Sequence, residues 1–260
     1  MAISLNNVSY FNEINDVSFA LPDNKILGIL GPRNSGKSAL VDLIGGNFSP
    51  NEGFVFVSKS FGIVYQDISD QFFYDTVKEE FLFQLKVKGV RNIYKKMFDA
   101  VKLVGLDVSI LDRSPLCLSL SEQKKISLAL TLSSNSDIFI FDDLFFGLDN
   151  RDKESIIKLI RMLKVRYGKT IVFTSSDSDL VLSLSDMVLL MNNGEVIDYG
   201  EKMDVFSDIE SLKASKVKIP DLISFSNFVL ERKGVNLGYR HDVNDLMKDI
   251  YRFVRWCKMC

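Results

Sequence analysis

Gly31-Pro32-Arg33-Asn34-Ser35-Gly36-Lys37-Ser38 fills every fixed position of the G-x-x-x-x-G-K-S pattern. Glycines at 31 and 36 let the backbone curl tightly and turn its N–H groups inward, and Lys37 can set its ammonium against phosphate oxygens. The flanks decide whether this is more than a glycine turn. Lys25-Ile26-Leu27-Gly28-Ile29-Leu30 reads as an apolar strand entering the loop; Ala39, Leu40, Leu43 and Ile44 fall on one face of a helix that stops before Gly45-Gly46. Strand, loop and helix in that order predict a phosphate-binding loop for ATP or GTP. Asn34, Ser35, Gly36, Lys37, Ser38 and Ala39 are then its expected nucleotide contacts together with Gly31, and the Ser38 hydroxyl is a candidate Mg²⁺ ligand.

A Mg²⁺-nucleotide site also needs a carboxylate near the loop. Ile138-Phe139-Ile140-Phe141 is an apolar run closed by Asp142-Asp143, the pattern of a buried strand delivering acids at its C-terminal edge. An uncompensated carboxylate there is costly, which favours a ligand or hydrogen-bonded role for Asp142. Asp143 is the candidate general base or water-orienting group.

The rest of the chain alternates in the same way. Strands are predicted over 3–10, 54–57, 61–65, 170–174, 187–191 and 195–199, with a tight hairpin at Asn193-Gly194. Helices are predicted over 76–86, 92–104, 121–133, 152–165 and 179–185. This order favours a layered α/β core. Past it the character changes: helical patterns at 204–212, 221–232 and 244–258 form a small appendage beginning near residue 208. The expected division is a nucleotide-binding domain over 1–207, with a helical subdomain at about 76–134, and a C-terminal helical region over 208–260.

Composition narrows the alternatives. A length of 260 residues with 47% hydrophobic and 25% charged side chains is globular rather than disordered. The formal charge of -2 gives no bulk reason to expect nucleic acid. No apolar run approaches the roughly 18 residues of a membrane-spanning helix, and the start lacks the basic and apolar segments of a signal peptide. The cysteines, Cys117, Cys257 and Cys260, are sparse and odd in number, which suits a reducing compartment; the terminal C-x-x-C has no second ligand pair and reads as incidental. The 20 phenylalanines, several standing where branched aliphatics would serve, read as core packing.

The order of motifs resembles the nucleotide-binding subunits of ABC transporters through most of residues 1–207. Val64-Tyr65-Gln66-Asp67 resembles the family's Q-loop, Leu118-Ser119-Leu120-Ser121-Glu122 stands at its LSGGQ signature, Phe141-Asp142-Asp143 at its Walker B ending, and Gly147-Leu148-Asp149 at its D-loop. A narrower resemblance is to the ATPase subunits of energy-coupling-factor importers. It is carried by Asp70-Gln71-Phe72-Phe73 with Thr76-Val77-Lys78-Glu79-Glu80, by Ile219-Pro220-Asp221-Leu222, and by Arg232-Lys233-Gly234.

The resemblance implies a P-loop NTPase fold of ABC type, ATP as ligand, and Mg²⁺ held by Ser38, Gln66 and Asp142. It implies a second ABC ATPase subunit, identical or different, whose nucleotide would meet Leu118 to Glu122. It also implies a transmembrane coupling subunit, a substrate-binding membrane subunit, and a place at the cytoplasmic face of the cell membrane. The resemblance implies an aromatic near the adenine, Phe11 or Tyr10, with Phe11 preferred because the family's aromatic usually comes near the strand's end; the alternative is that either ring belongs to the core.

The departures carry their own expectations. Asp143 stands where the family has Glu, its carboxylate shorter by a methylene; Ser176 stands where the family has a switch His; Leu120 and Ser121 replace the signature glycines. His241, in the appendage, reads as a surface or packing histidine rather than a replacement switch. The resemblance implies an ATPase subunit energising uptake of a micronutrient, and these changes favour impaired catalysis in at least one composite site. A subunit that binds ATP with negligible hydrolysis is the second expectation, and a soluble ABC-type ATPase acting on nucleic acid or ribosomes the third.

Overall fold

The computed structural model describes residues 1–68, 71–235, 237–238 and 243–257. Asp70, His241 and Cys260 lie outside them.

The core is built on β3 (Ile26–Leu30), β6 (Ile138–Phe141), β7 (Thr170–Ser175) and β8 (Met187–Asn192), every residue of which is buried. Strands apolar on both faces need cover on both faces, the environment of a parallel sheet inside an α/β layer structure. Among the described residues they join β5 (Phe61–Val64) and β9 (Glu195–Glu201) in a six-stranded sheet of order β5-β6-β7-β3-β8-β9. Only β9 is antiparallel, reached from β8 through Asn193-Gly194, both at positive φ, as a tight hairpin requires.

This order positions the site. With β7 between β6 and β3, and Leu30 level with Ser175 and Phe141 with Phe173, the residues following three adjacent strands emerge along one edge of the sheet. They are the Gly31 loop, Asp142-Asp143 and Ser176.

A second sheet, β2-β1-β4, is antiparallel and formed by β1 (Ile3–Tyr10), β2 (Ile14–Leu21) and β4 (Glu52–Val57). Helix α1 (Lys37–Gly45) packs with it and with one face of the larger sheet in a shared apolar cluster containing Ile3, Val17, Leu40, Ile44, Ile140 and Val172. The other face is covered by α2 (Val77–Val87), α3 (Ile93–Leu103), α4 (Leu120–Ser133), α5 (Asn150–Tyr167) and α6 (Ser178–Leu184), in a cluster that includes Phe81, Met97, Ile126, Phe139, Leu159, Phe173 and Val181. Then come α7 (Lys202–Ser207), α8 (Ile209–Ala214), α9 (Asp221–Lys233) and α10 (Val243–Cys257). No helix among the described residues is long and apolar enough to cross a membrane.

Strand β2 and the helical stretch at 204–212 depart from the sequence expectation. Strand β2 does not alternate along its whole length in the sequence: Asn15 and Asp16 are both exposed, and the pairing with β1 shifts register between Val8 and Tyr10. An irregularity of this kind breaks the period-two pattern by which a strand is recognised. The helical pattern at 204–212 is divided into α7 and α8, because the Asp208 carboxylate accepts the N–H groups of Glu210 and Ser211 and starts a new helix.

Candidate functional site

Gly36 caps α1 at φ 97°, a left-handed conformation that favours glycine, and a Cβ there would stand 2.7 Å from the Glu13 carbonyl. A Cβ on Gly31 would meet the Met191 carbonyl at 2.4 Å. The loop is thus wedged between its neighbours. The Gly194 N–H donates to the Ser35 carbonyl at 3.1 Å, and Asn15 N–H donates to the Gly194 carbonyl at 2.9 Å, so the β8–β9 hairpin braces both the loop and the β1–β2 turn.

The helix it begins has no side-chain cap and no acidic residue in its first turn. Its positive end is therefore left for an anion. Lys37 Nζ donates to the carbonyls of Gly31 at 2.9 Å and Pro32 at 2.6 Å and to Ser35 Oγ at 3.3 Å. Burial lowers its pKa, while Asp143 and Asp142 pull in the opposite direction. An ammonium with no carboxylate bound to it among the described residues, in a cradle that a Cβ would fill, fits a phosphate ligand.

Opposite the loop, Asp142 is buried and its Oδ1 accepts the Thr174 hydroxyl at 2.6 Å, while Thr174 Oγ1 accepts the Asp143 N–H at 2.9 Å. Asp143 sits at φ 45°. Burial raises its carboxyl pKa; Lys124 opposes this, as do Lys37 and Arg33, whereas the Asp142 charge adds to the rise. Lys124, 2% exposed on α4, donates to the carbonyls of Asp143 at 3.1 Å, Leu144 at 3.2 Å and Phe146 at 2.6 Å. One ammonium thus binds three carbonyls of the segment that begins at Asp143.

These groups surround a cavity of about 860 Å³. Its walls include Asn34, Ser35, Gly36, Lys37, Ser38 and Ala39 of the loop, together with Gln66, Asp142, Asp143 and Ser176. Among the described residues no three His, Cys, Asp or Glu side chains gather into a metal cage. Two carboxylates, the Ser38 hydroxyl and the Gln66 amide oxygen are hard donors of the type Mg²⁺ accepts when phosphates complete its shell.

Other expected residues lie elsewhere. Phe11 is 70% exposed at φ 43°, its ring edge against Tyr10 with centroids 4.7 Å apart, and it does not line the cavity; Asn12 and Glu13 of the same turn do. Tyr10 stacks on Phe48 at 5.0 Å. Leu118 to Glu122 and Asp149 also lie off the cavity wall. Ser119 caps α4, sharing a reciprocal capping box with Glu122: the Ser119 N–H reaches Glu122 Oε2 at 2.9 Å and its hydroxyl reaches the same oxygen at 2.8 Å. Leu120 faces Gly147, whose added Cβ would come within 3.0 Å of it. Ser121 donates to Asp152 on α5, which also pairs with Lys125. Asp149 caps α5 by accepting the Asp152 N–H at 2.8 Å.

Thr174, Phe146 and Lys124 belong to the site but not to the sequence expectation. The phosphate-loop pattern does not involve them, and only the meeting of α4, β7 and the segment after β6 brings them in.

The comparisons agree with this geometry. The sequence model of the ABC transporter family matches residues 14–145. The energy-coupling factor transporter ATP-binding protein EcfA3 of Oenococcus oeni is 30% identical over 254 residues, 87% of this chain and 88% of that protein. The EcfA1 protein of Mycoplasma mobile is 31% identical, covering 88% and 87%. The solved structure of cbiO1 from Clostridium perfringens, part of the ABC transporter complex cbiONQ, shares the fold with a TM-score of 0.69 at 23% identity, over 87% of this chain and 98% of that one. Here, then, is a member of the ABC transporter family, an ATP-binding subunit closely related to those of energy-coupling factor transporters.

Proposed function

We propose that this chain is the ATP-hydrolysing subunit of an energy-coupling-factor-type importer of a micronutrient, paired with a second ABC ATPase beneath membrane subunits at the cytoplasmic face. The observation that carries the reading is the single cavity that gathers Lys37, Ser38, Gln66, Asp142, Asp143 and Ser176.

Within that cavity the loop N–H groups and Lys37 hold the β and γ phosphates. Ser38, Asp142 and Gln66 would hold Mg²⁺, which would neutralise charge on the phosphate oxygens. Asp143, on the wall of the same cavity, orients the attacking water and takes its proton. Ser176 offers a neutral hydroxyl towards the terminal phosphate.

Asp143 is one methylene shorter than Glu, so its carboxylate stands back from the water and the reaction slows while binding persists. The signature contributes to the partner's nucleotide, and Leu120 and Ser121, turned towards Gly147 and Asp152, narrow what it can offer. Those contacts favour a second reading, a subunit that binds ATP and assembles but scarcely turns it over.

Exposed Phe73, Tyr74 and Phe83 just after the Gln66 segment support docking on a membrane subunit. Exposed Phe225, Phe228, Val243, Met247 and Tyr251 on α9 and α10 support pairing through the region from residue 208. Affinity purification from native membranes, with subunit identification and phosphate release, tests the proposal. A multispanning membrane protein and a second ATPase are expected; a chain recovered alone or on ribosomes contradicts it.

A further inference from the structure

Arg33 occupies a variable position of the phosphate loop, where the motif asks nothing of the side chain. Its guanidinium carbon lies 5.6 Å from the centre of the Phe146 ring, and both residues line the cavity beside Lys37 and Asp143. Within the described residues the guanidinium has no protein hydrogen-bond acceptor and no ion-pair partner, Asp143 included. A guanidinium that rests on a ring, with no acceptor among the described residues and only the through-space pull of Asp143, is directed while its donors stay available to a ligand.

Phe146 is itself held. Its N–H donates to the Asp143 carbonyl at 3.1 Å, and its own carbonyl accepts Lys124 Nζ at 2.6 Å. The residue is 53% exposed, with Lys124 Nζ 5.9 Å from the centre of its ring. A large apolar ring half in water at the wall of a polar cavity gains little from burial; its contact with Arg33 gives it a use there.

Charge makes the same case. Glu13, Asp142 and Asp143 line the cavity against Lys37 and Arg33, so the terminal phosphate of ATP adds negative charge to a wall already rich in it. Ser176, which also lines the cavity, offers only a neutral hydroxyl. A guanidinium is suited to bind two phosphate oxygens at once.

We propose that Arg33 is a second cationic ligand of the terminal phosphate, presented to it by the ring of Phe146. The inference rests on the reading of this cavity as the ATP site. Phe146 is a positioning residue, acting through Arg33.

The test is calorimetric binding of Mg-ATP and Mg-ADP to the purified chain and to Arg33→Ala, Phe146→Leu, Phe146→Tyr and Lys37→Ala. Arg33→Ala is expected to weaken ATP by about tenfold and ADP by less than about twofold, so that the preference for ATP collapses. Phe146→Leu should lose part of the same preference, and Phe146→Tyr, which keeps a ring, should retain it. Equal weakening of ATP and ADP by Arg33→Ala, or no weakening of either, overturns the role of Arg33. Lys37→Ala separates the two readings: if it leaves both affinities intact, the nucleotide site itself is misassigned; if it abolishes them while Arg33→Ala is silent, only the second cation fails.

Discussion

The Thr174 hydroxyl donates to Asp142 Oδ1 at 2.6 Å and accepts the Asp143 N–H at 2.9 Å, so one buried side chain on β7 fixes both acidic residues that follow β6. Thr174→Val keeps the shape and removes both bonds. Leaving an N–H short of a partner costs about 1–3 kcal/mol and leaving a buried carboxylate short costs more, seen as a lower urea midpoint. Phosphate release should fall more than ATP affinity, because Lys37 and the loop are untouched. Stability and turnover equal to wild type would contradict this role.

Gly36→Ala tests the loop itself. The residue sits at φ 97°, and its Cβ would lie 2.7 Å from the Glu13 carbonyl and 3.1 Å from Ile14 Cδ1. A non-glycine residue held in this region costs of the order of 1–3 kcal/mol before the clash is counted. The loop must then open from the β1–β2 turn. Loss of ATP binding with a retained cooperative unfolding transition is the expected result.

Asp143→Glu restores the missing methylene. If reach limits the reaction, this variant hydrolyses ATP faster than the wild-type assembly, whereas Asp143→Asn slows it by about 100-fold, the range of a lost general base. ATP affinity should be nearly the same in all three proteins. A Glu variant no faster than wild type would show that the length of this side chain is not what sets the rate.

Glu122 and Asp152 tie α4 to its surroundings, and both titrate below the ordinary carboxylate range. The Ser119 N–H and then its hydroxyl lower the first, and Lys125 and then Ser121 lower the second. Because the folded-state values lie below the unfolded ones, this stabilisation is present above the unfolded pKa values and is lost as pH falls through the folded ones. Urea midpoints taken between about pH 5 and pH 2 should therefore fall less steeply for the Glu122→Gln, Asp152→Asn double variant than for wild type. Parallel curves would contradict the assignment.

What could be read in advance followed from local chemistry. The stretch from Lys25 to Ile44 announced strand, loop and helix because apolar periodicity, glycine position and Lys37 all agree within one short segment. Ile138 to Asp143 did the same for β6 and its carboxylates. Strand β2 escaped because Asn15 and Asp16 are both exposed in mid-pattern. Ser119 and Glu122 stand at capping-box spacing, but the same residues also occupy the signature position, so spacing alone does not separate the two roles. Phe146 could not be found from its neighbours in sequence, since its meaning depends on Arg33, more than a hundred residues earlier, meeting it across the cavity. Lys124 is hidden for the same reason: its three carbonyl partners lie on a segment that only the fold brings beside α4.

The central claim is that the cavity at Lys37 binds ATP and that Asp143 acts after binding. Equilibrium Mg-ATP binding by the purified chain, compared with Lys37→Ala and Asp143→Ala, tests it most directly. The account predicts that Lys37→Ala abolishes measurable binding while Asp143→Ala binds as wild type does; undiminished binding by Lys37→Ala would contradict it.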